Sequence, residues 1–146
     1  RIGGSGGTSL ELNTQTTKDF EIGSKFLSDS FSSNISTYII EGKNELAYDT
    51  DAFENINMSS TRRYGVELHT RNKISDEINL TNNFTFAKAK YISGDQGTYA
   101  TDFKGNDFPL VPQYSLDTSL EWDVSKFTKV IPSIKYQDDM RMESDD

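Results

Sequence analysis

From Ile78 to Phe86 the chain alternates apolar and polar residues with few breaks: Ile78, Leu80, Phe84 and Phe86 stand against Asn79, Thr81, Asn83 and Thr85. A period of two is the signature of an extended strand with one greasy and one wet face, because successive side chains leave a pleated strand in opposite directions. The same period recurs along most of the sequence, and apolar spacing at three and four residues is hard to find. That single property excludes a helical bundle and predicts an all-β chain. It also requires something apolar to lie against one face of every strand.

Six strands are predicted in succession. The first covers Thr16 to Leu27, with Phe20, Ile22 and Phe26 on one face, and ends at the turn-forming Ser28-Asp29-Ser30. The second is read from Phe31 to Tyr48, with an ambiguous face because Ile35 and Ile39 lie opposite Tyr38 and Ile40. A polar loop from Asp49 to about Thr61 leads to the third, Arg62 to Ile74, where Tyr64, Val66 and Leu68 oppose Gly65, Glu67 and His69. Ser75-Asp76-Glu77 turns the chain into the fourth, Ile78 to Tyr91. A glycine-bearing loop from Ile92 to Pro109 precedes the fifth, Tyr114 to Asp123, and a turn near Ser125 to Thr128 precedes a sixth carrying Val130, Ile134 and Tyr136. Pro132 lies inside that last strand without an N–H to donate, which calls for a bulge or a gap in pairing. Residues 1–15 read as a glycine-rich outer loop or linker, and residues 16–146 as one continuous array of strands.

The connections run short, long, short, long, short. Transmembrane barrels of the outer-membrane type place short turns on one side of the bilayer and long loops on the other. Aromatic residues fall where such a barrel would need them. Tyr48, Tyr64, Tyr91, Tyr114 and Tyr136 sit at strand ends beside the long loops, and Phe31, Trp122 and Phe127 sit near the short turns. Amphipathic rings favour the headgroup level, with the body in lipid and the polar tip wet. Only 34% of the residues are hydrophobic, which suits strands that meet lipid at every second position. No apolar run approaches the roughly 18 residues a spanning helix requires. The fold class expected is therefore an antiparallel up-and-down meander, an open segment of a transmembrane β-barrel.

Other properties narrow the function. With 23 acidic against 15 basic residues and a net charge of −8, a nucleic-acid backbone is a poor partner. The absence of cysteine removes disulfides and thiol chemistry. His69 is the sole histidine and is read as a solvated strand residue, since a metal site needs convergent partners. Asp49, Asp51 and Glu54 imitate the start of a calcium loop, but Glu54 occupies the place where the sharp turn demands glycine. Asp138, Asp139, Glu143, Asp145 and Asp146 are read as a solvated outer loop. No nucleophile, base and orienting group can be assembled, and no phosphate-cradling Gly-Lys motif is present. No catalysis, cofactor or metal is expected.

Three segments, in this order and spacing, resemble TonB-dependent receptors of the Gram-negative outer membrane. Thr16-Thr17-Lys18-Asp19-Phe20-Glu21-Ile22-Gly23-Ser24-Lys25 is similar to the family's ET-x-x-x-YEIG-x-K strand, although Gln15 or Thr16 stands where the family has Glu. Phe53-Glu54-Asn55-Ile56-Asn57 followed by Arg62 and Tyr64-Gly65-Val66-Glu67-Leu68 resembles the strand ending in GVEL. Pro109-Leu110-Val111-Pro112-Gln113-Tyr114-Ser115-Leu116 resembles the proline-marked lead-in to a later strand. The resemblance implies a 22-stranded barrel around an N-terminal plug, binding a ferric siderophore, haem or cobalamin at its outer loops and driven by the TonB complex. In that frame this chain is a fragment from the late part of the barrel, without the plug. Glu21 and Glu67 should face the lumen, and Gly23 and Gly65 need a bulge, a close backbone approach or a plug contact to justify them. Tyr48, Tyr91, Tyr99 and Phe103 are the candidate ligand contacts, because loop aromatics suit flat, partly apolar ligands. Two other readings compete. A porin-like channel or adhesin would keep the barrel without plug or energy coupling. A soluble carbohydrate-binding β-sandwich would bury its apolar face against a second sheet.

Overall fold

The computed structural model describes residues 12–49, 53–57, 60–93, 105, 107 and 111–140. Nine strands follow in chain order: β1 Thr16–Leu27, β2 Phe31–Lys43, β3 Leu46–Asp49, β4 Glu54–Asn57, β5 Thr61–Lys73, β6 Ile78–Tyr91, β7 Tyr114–Ser125, β8 Thr128–Val130 and β9 Ser133–Gln137. The main sheet is antiparallel in the order β1-β2-β5-β6-β7, with β8 and β9 both pairing β7 at the far edge. The sheet stays open, and β3 and β4 form a small hairpin of their own.

Two strands coincide with their sequence-based bounds, β1 and β6. The second stops earlier than its alternation suggests. After Lys43 the chain turns through Asn44 at φ 54°, a left-handed conformation that asparagine tolerates better than most residues. Leu46–Asp49 then pairs with Glu54–Asn57 instead of continuing β2. The loop read from Asp49 to Thr61 thus contains a strand. The sixth strand is also divided, at Ile131-Pro132, yet its register with β7 carries through unchanged from Trp122↔Val130 to Ser119↔Ser133. Pro132 makes a gap in the ladder, not a bulge, and its carbonyl still accepts from the Leu120 amide at 3.0 Å. The register shift lies nearer the turn, between Asp123 and Ser125.

Register divides the sheet into two alternation classes. One row of the first class reads Ser24-Ile35-Leu68-Phe84-Leu116-Tyr136, and the next reads Phe26-Ser33-Thr70-Asn82-Thr118-Ile134. The intervening row of the second class reads Lys25-Asn34-His69-Asn83-Asp117-Lys135. The first face is apolar and uncovered: Phe20 is 66% exposed, Ile22 61% and Ile134 72%. Among the described residues each strand touches only its ladder neighbours, and Ala89 is the one buried hydrophobic residue. A water-soluble sandwich would have to bury that face under a second layer. None is present among the described residues. The second face carries ion pairs of both signs, including Lys135 Nζ to Asp117 Oδ2 at 3.1 Å and Arg71 Nη2 to Glu121 Oε2 at 3.7 Å. Glu21 and Glu67 lie on it, as the lumen assignment requires.

The register also settles the ambiguous face of β2 and the glycine of β5. Ile35 and Ile39 belong to the apolar class, and Tyr38 crosses to the polar side, directly paired with Gly65. A Cβ at Gly65 would collide with the Phe86 carbonyl oxygen and would come within 2.7 Å of the Tyr38 hydroxyl. Glycine is there because a ring and a neighbouring backbone occupy its side-chain space.

Candidate functional site

The four aromatic residues singled out from sequence separate in the structure. Tyr91 ends β6 and is paired with Thr61, in the same alternation class as Arg63 and Gly65. It therefore lies on the polar face and not on the apolar face with Tyr64, Tyr114 and Tyr136. Its carbonyl accepts from the Gly105 amide at 2.9 Å, and Ile92 donates its amide to Ser60 at 2.8 Å, fixing the base of the second long loop. Tyr48 sits in β3 opposite Asn55, on the hairpin of the first long loop. Tyr99 and Phe103 lie outside the described residues, as do residues 1–11 of the glycine-rich start and the acidic residues from Glu143 onward. Tyr91 and the hairpin bearing Tyr48 share the long-loop end of the sheet.

That hairpin is anchored by a group sequence reasoning did not single out. Glu45, 7% exposed, follows the left-handed Asn44 and turns back over the sheet. Its two oxygens accept from Arg63 Nη1 and Nη2, both at 2.7 Å, and Oε1 also accepts from Thr61 Oγ1 at 3.1 Å. The fork of a guanidinium matches a carboxylate in this two-bond arrangement, which is stronger and more directional than a single charged contact. Thr61 is fully buried beneath it. A Cβ at Gly42 would overlap the Glu45 carboxylate as it stands, so a larger residue there would displace that carboxylate. Hydrogen bonds from Arg63 hold the Glu45 carboxyl below its ordinary value of 4.5, outweighing the opposing effect of burial.

The other side of the hairpin is tied by asparagines. Asn57 Nδ2 donates to the Asn44 carbonyl at 2.8 Å and to the Asn13 carbonyl at 3.0 Å, while its Oδ1 accepts from the Asn13 amide at 2.6 Å. Asn44 Nδ2 reaches the Thr14 carbonyl at 3.2 Å. At the hairpin turn Phe53 has φ 55° and is 78% exposed. A bulky residue in the left-handed region is unusual, and here it presents a bare ring at the tip of an anchored loop. On the polar face His69 Nδ1 donates to Asn83 Oδ1 at 2.6 Å, which fits its reading as a solvated strand residue.

The arrangement offers no reacting group. It offers two loops hydrogen-bonded at their bases and a wall with one polar and one apolar face. The model of the family described as TonB dependent receptor-like, beta-barrel matches residues 3–145. The chain belongs to that family. The TonB-dependent receptor barrel is also what its shape resembles. The chain is similar to the crystal structure of the ferric yersiniabactin uptake receptor FyuA from Yersinia pestis, with a TM-score of 0.64 at 16% identity, over 83% of this chain and 18% of that one. No curated protein matches the chain by sequence. At that identity the likeness concerns the fold: an open stretch of barrel wall, which spans less than a fifth of that receptor's length. Membership places the chain among receptors and not among enzymes, in keeping with the absence of catalytic residues expected from sequence.

Proposed function

We propose that the complete protein is an active-transport receptor of the Gram-negative outer membrane, importing a scarce nutrient such as a ferric siderophore, haem or cobalamin. The observation that carries this reading is an uncovered apolar face on a TonB-dependent receptor-like β-barrel wall whose opposite face is charged. Such a wall is stable where lipid covers one side and an aqueous or protein-filled lumen the other. On this reading residues 16–146 are barrel and residues 1–15 an outer loop or linker. An N-terminal plug fills the lumen, and the TonB complex supplies the energy. The long-loop end faces outward, and Tyr91 with Tyr48, Tyr99 and Phe103 contributes aromatic surface to the ligand. FyuA, titled a ferric yersiniabactin uptake receptor, supports an iron chelate as the ligand class.

The test is uptake by cells that carry or lack the gene for the complete protein. Radiolabelled ferric chelates, haem and cobalamin are supplied in turn, with and without dissipation of the proton gradient. Energy-dependent accumulation of one of them, lost with the gene, is expected. Accumulation that persists in de-energised cells would instead favour a passive channel and overturn the active-transport reading.

A further inference from the structure

Charge on the apolar face is confined to one end and biased to one sign. In the strands of that alternation class the charged residues are Lys18, Glu41, Lys43, Arg62, Lys88 and Lys90. Lys18, Glu41, Arg62 and Lys90 form a single row across four strands, Lys43 lies one row further out opposite Thr16, and Lys88 lies one row further in opposite Tyr64. All are at the long-loop end. Below them the same face runs through Val66 and Leu68 without a charge. The polar face shows no such bias, for Asp19, Lys25, Glu67, Arg71, Asp117 and Lys135 mix signs along its length. The chain as a whole is strongly acidic, at −8.

Among the described residues the cluster is only partly neutralised. Arg62 donates to Glu41 Oε1 from Nε at 2.9 Å and from Nη2 at 2.6 Å. Lys90 lies 3.7 Å from Asp107 and donates to the Gly105 carbonyl at 3.4 Å. Lys18, Lys43 and Lys88 have no ion-pair partner among the described residues. Five cations against one carboxylate is a sign selection. A zwitterionic lipid surface would not impose it, because that surface attracts either charge about equally. A surface bearing phosphate groups would impose it, favouring ammonium and guanidinium groups and expelling carboxylates. The depth fits as well. The cations sit level with or just outside Tyr64, where aliphatic stems can lie along the apolar band while the charged ends reach the headgroups.

We propose that this outward rim binds phosphate groups on the lipid headgroups of the leaflet facing the long loops, with Lys18, Lys43 and Lys88 as the uncommitted charges. The inference rests on the membrane-barrel reading and adds a specific lipid partner to it. The test uses the complete receptor folded in a non-ionic detergent. Phosphatidic acid or phosphatidylcholine is supplied, and retained lipid is counted by native mass spectrometry. The wild type should retain phosphatidic acid in preference, and rising salt should weaken that retention. Combined Lys18→Gln, Lys43→Gln and Lys88→Gln should weaken it about a hundredfold, and Lys88→Gln alone about fivefold. The single variant keeps the test open should the triple variant fail to fold. Equal retention of the two lipids, salt-insensitive retention, or an unaffected folded variant overturns the proposal. Inorganic phosphate competing as well as the lipid does so too, since the site would then serve a free anion. A protein that stays folded and dispersed without detergent would refute the membrane reading itself, whereas a detergent-requiring barrel indifferent to phosphatidic acid loses only the rim.

Discussion

Neighbouring residues of one strand belong to opposite faces of this sheet, one apolar and one charged. Leu68 and Glu67 are adjacent on β5 and make the same ladder, with Ile35 and Phe84 flanking the first and Ser36 and Thr85 flanking the second. In a soluble sheet the apolar row would be buried by protein and the polar row wetted. Here no second layer of the described residues covers the apolar row, and on the proposed reading lipid takes the place of a core. The contrast teaches that burial within the chain is a poor guide to energetic importance in such a wall. The most consequential side chains are among those the chain itself leaves uncovered.

The contrast is broken most severely by placing a charge on the apolar row. Leu68→Arg in the complete barrel should cost about 2–4 kcal/mol, the range for a cation on the lipid face near the bilayer midplane. Glu67→Arg, one residue away, should change stability by no more than about 0.5 kcal/mol as a lumen-face surface substitution. Denaturant unfolding from phosphatidylcholine vesicles measures both. Equal costs would mean that the two faces are not solvated differently.

Gly65→Ala probes the polar face where it is crowded instead of wet. The new methyl meets the Phe86 carbonyl and the Tyr38 ring, so the strand pair must shift at a cost of about 1–3 kcal/mol. Ser36→Ala, on the same face one row away, should be nearly silent in the same unfolding assay. A silent Gly65→Ala would show that the ring and strand yield freely.

The Glu45–Arg63 pair tests the rim against the wall. Glu45→Gln removes the charge that Arg63 clasps, and should cost about 1–2 kcal/mol locally. Amide exchange at Leu46–Asp49 should speed up by roughly tenfold, with exchange at β6 unchanged. The pH dependence has a fixed sign. Because the folded carboxyl titrates below its ordinary value of 4.5, its contribution is fully present above that value and fades as the pH falls through the lower, folded one. Hairpin exchange in the wild type should therefore accelerate only in acid below about 4.5, and in the Glu45→Gln variant this acid step should vanish. An unchanged acid step would assign it to another group.

Local pattern made most of the wall legible. The bounds of β1 and β6 follow from alternation closed off by serine and aspartate turns, all within a dozen residues of chain. The end of β2 was not legible, since Glu45-Leu46-Ala47-Tyr48 continues to alternate. The strand stops where Asn44 turns left-handed and Glu45 folds back to pair with Arg63, far away in sequence. Tyr91 ends a strand, which on sequence alone puts it with the girdle. Its face depends on parity counted from Thr61, which only the register supplies. The cationic rim is hidden for the same reason: Lys18, Lys43, Arg62, Lys88 and Lys90 are scattered in sequence and meet only across three ladders.

The smallest effect expected concerns a polar inlay in the apolar face. Thr118 Oγ1 donates to Asn82 Oδ1 at 3.0 Å, and Asn82 Nδ2 donates to Thr70 Oγ1 at 3.2 Å. The amide is thus satisfied inside the sheet on both sides, which is the condition for a polar group to face lipid at low cost. Asn82→Leu removes both bonds but also removes the group that needed them, and the two threonine hydroxyls can turn to backbone carbonyls. Replacing a satisfied polar group by an apolar one of similar size is close to neutral, so the change in unfolding free energy should stay within about 1 kcal/mol. Thr70→Val with Thr118→Val, which strands the Asn82 amide, should cost more than Asn82→Leu in the same assay. The reverse order would mean that this row faces water, and the assignment of the two faces would have to be exchanged there.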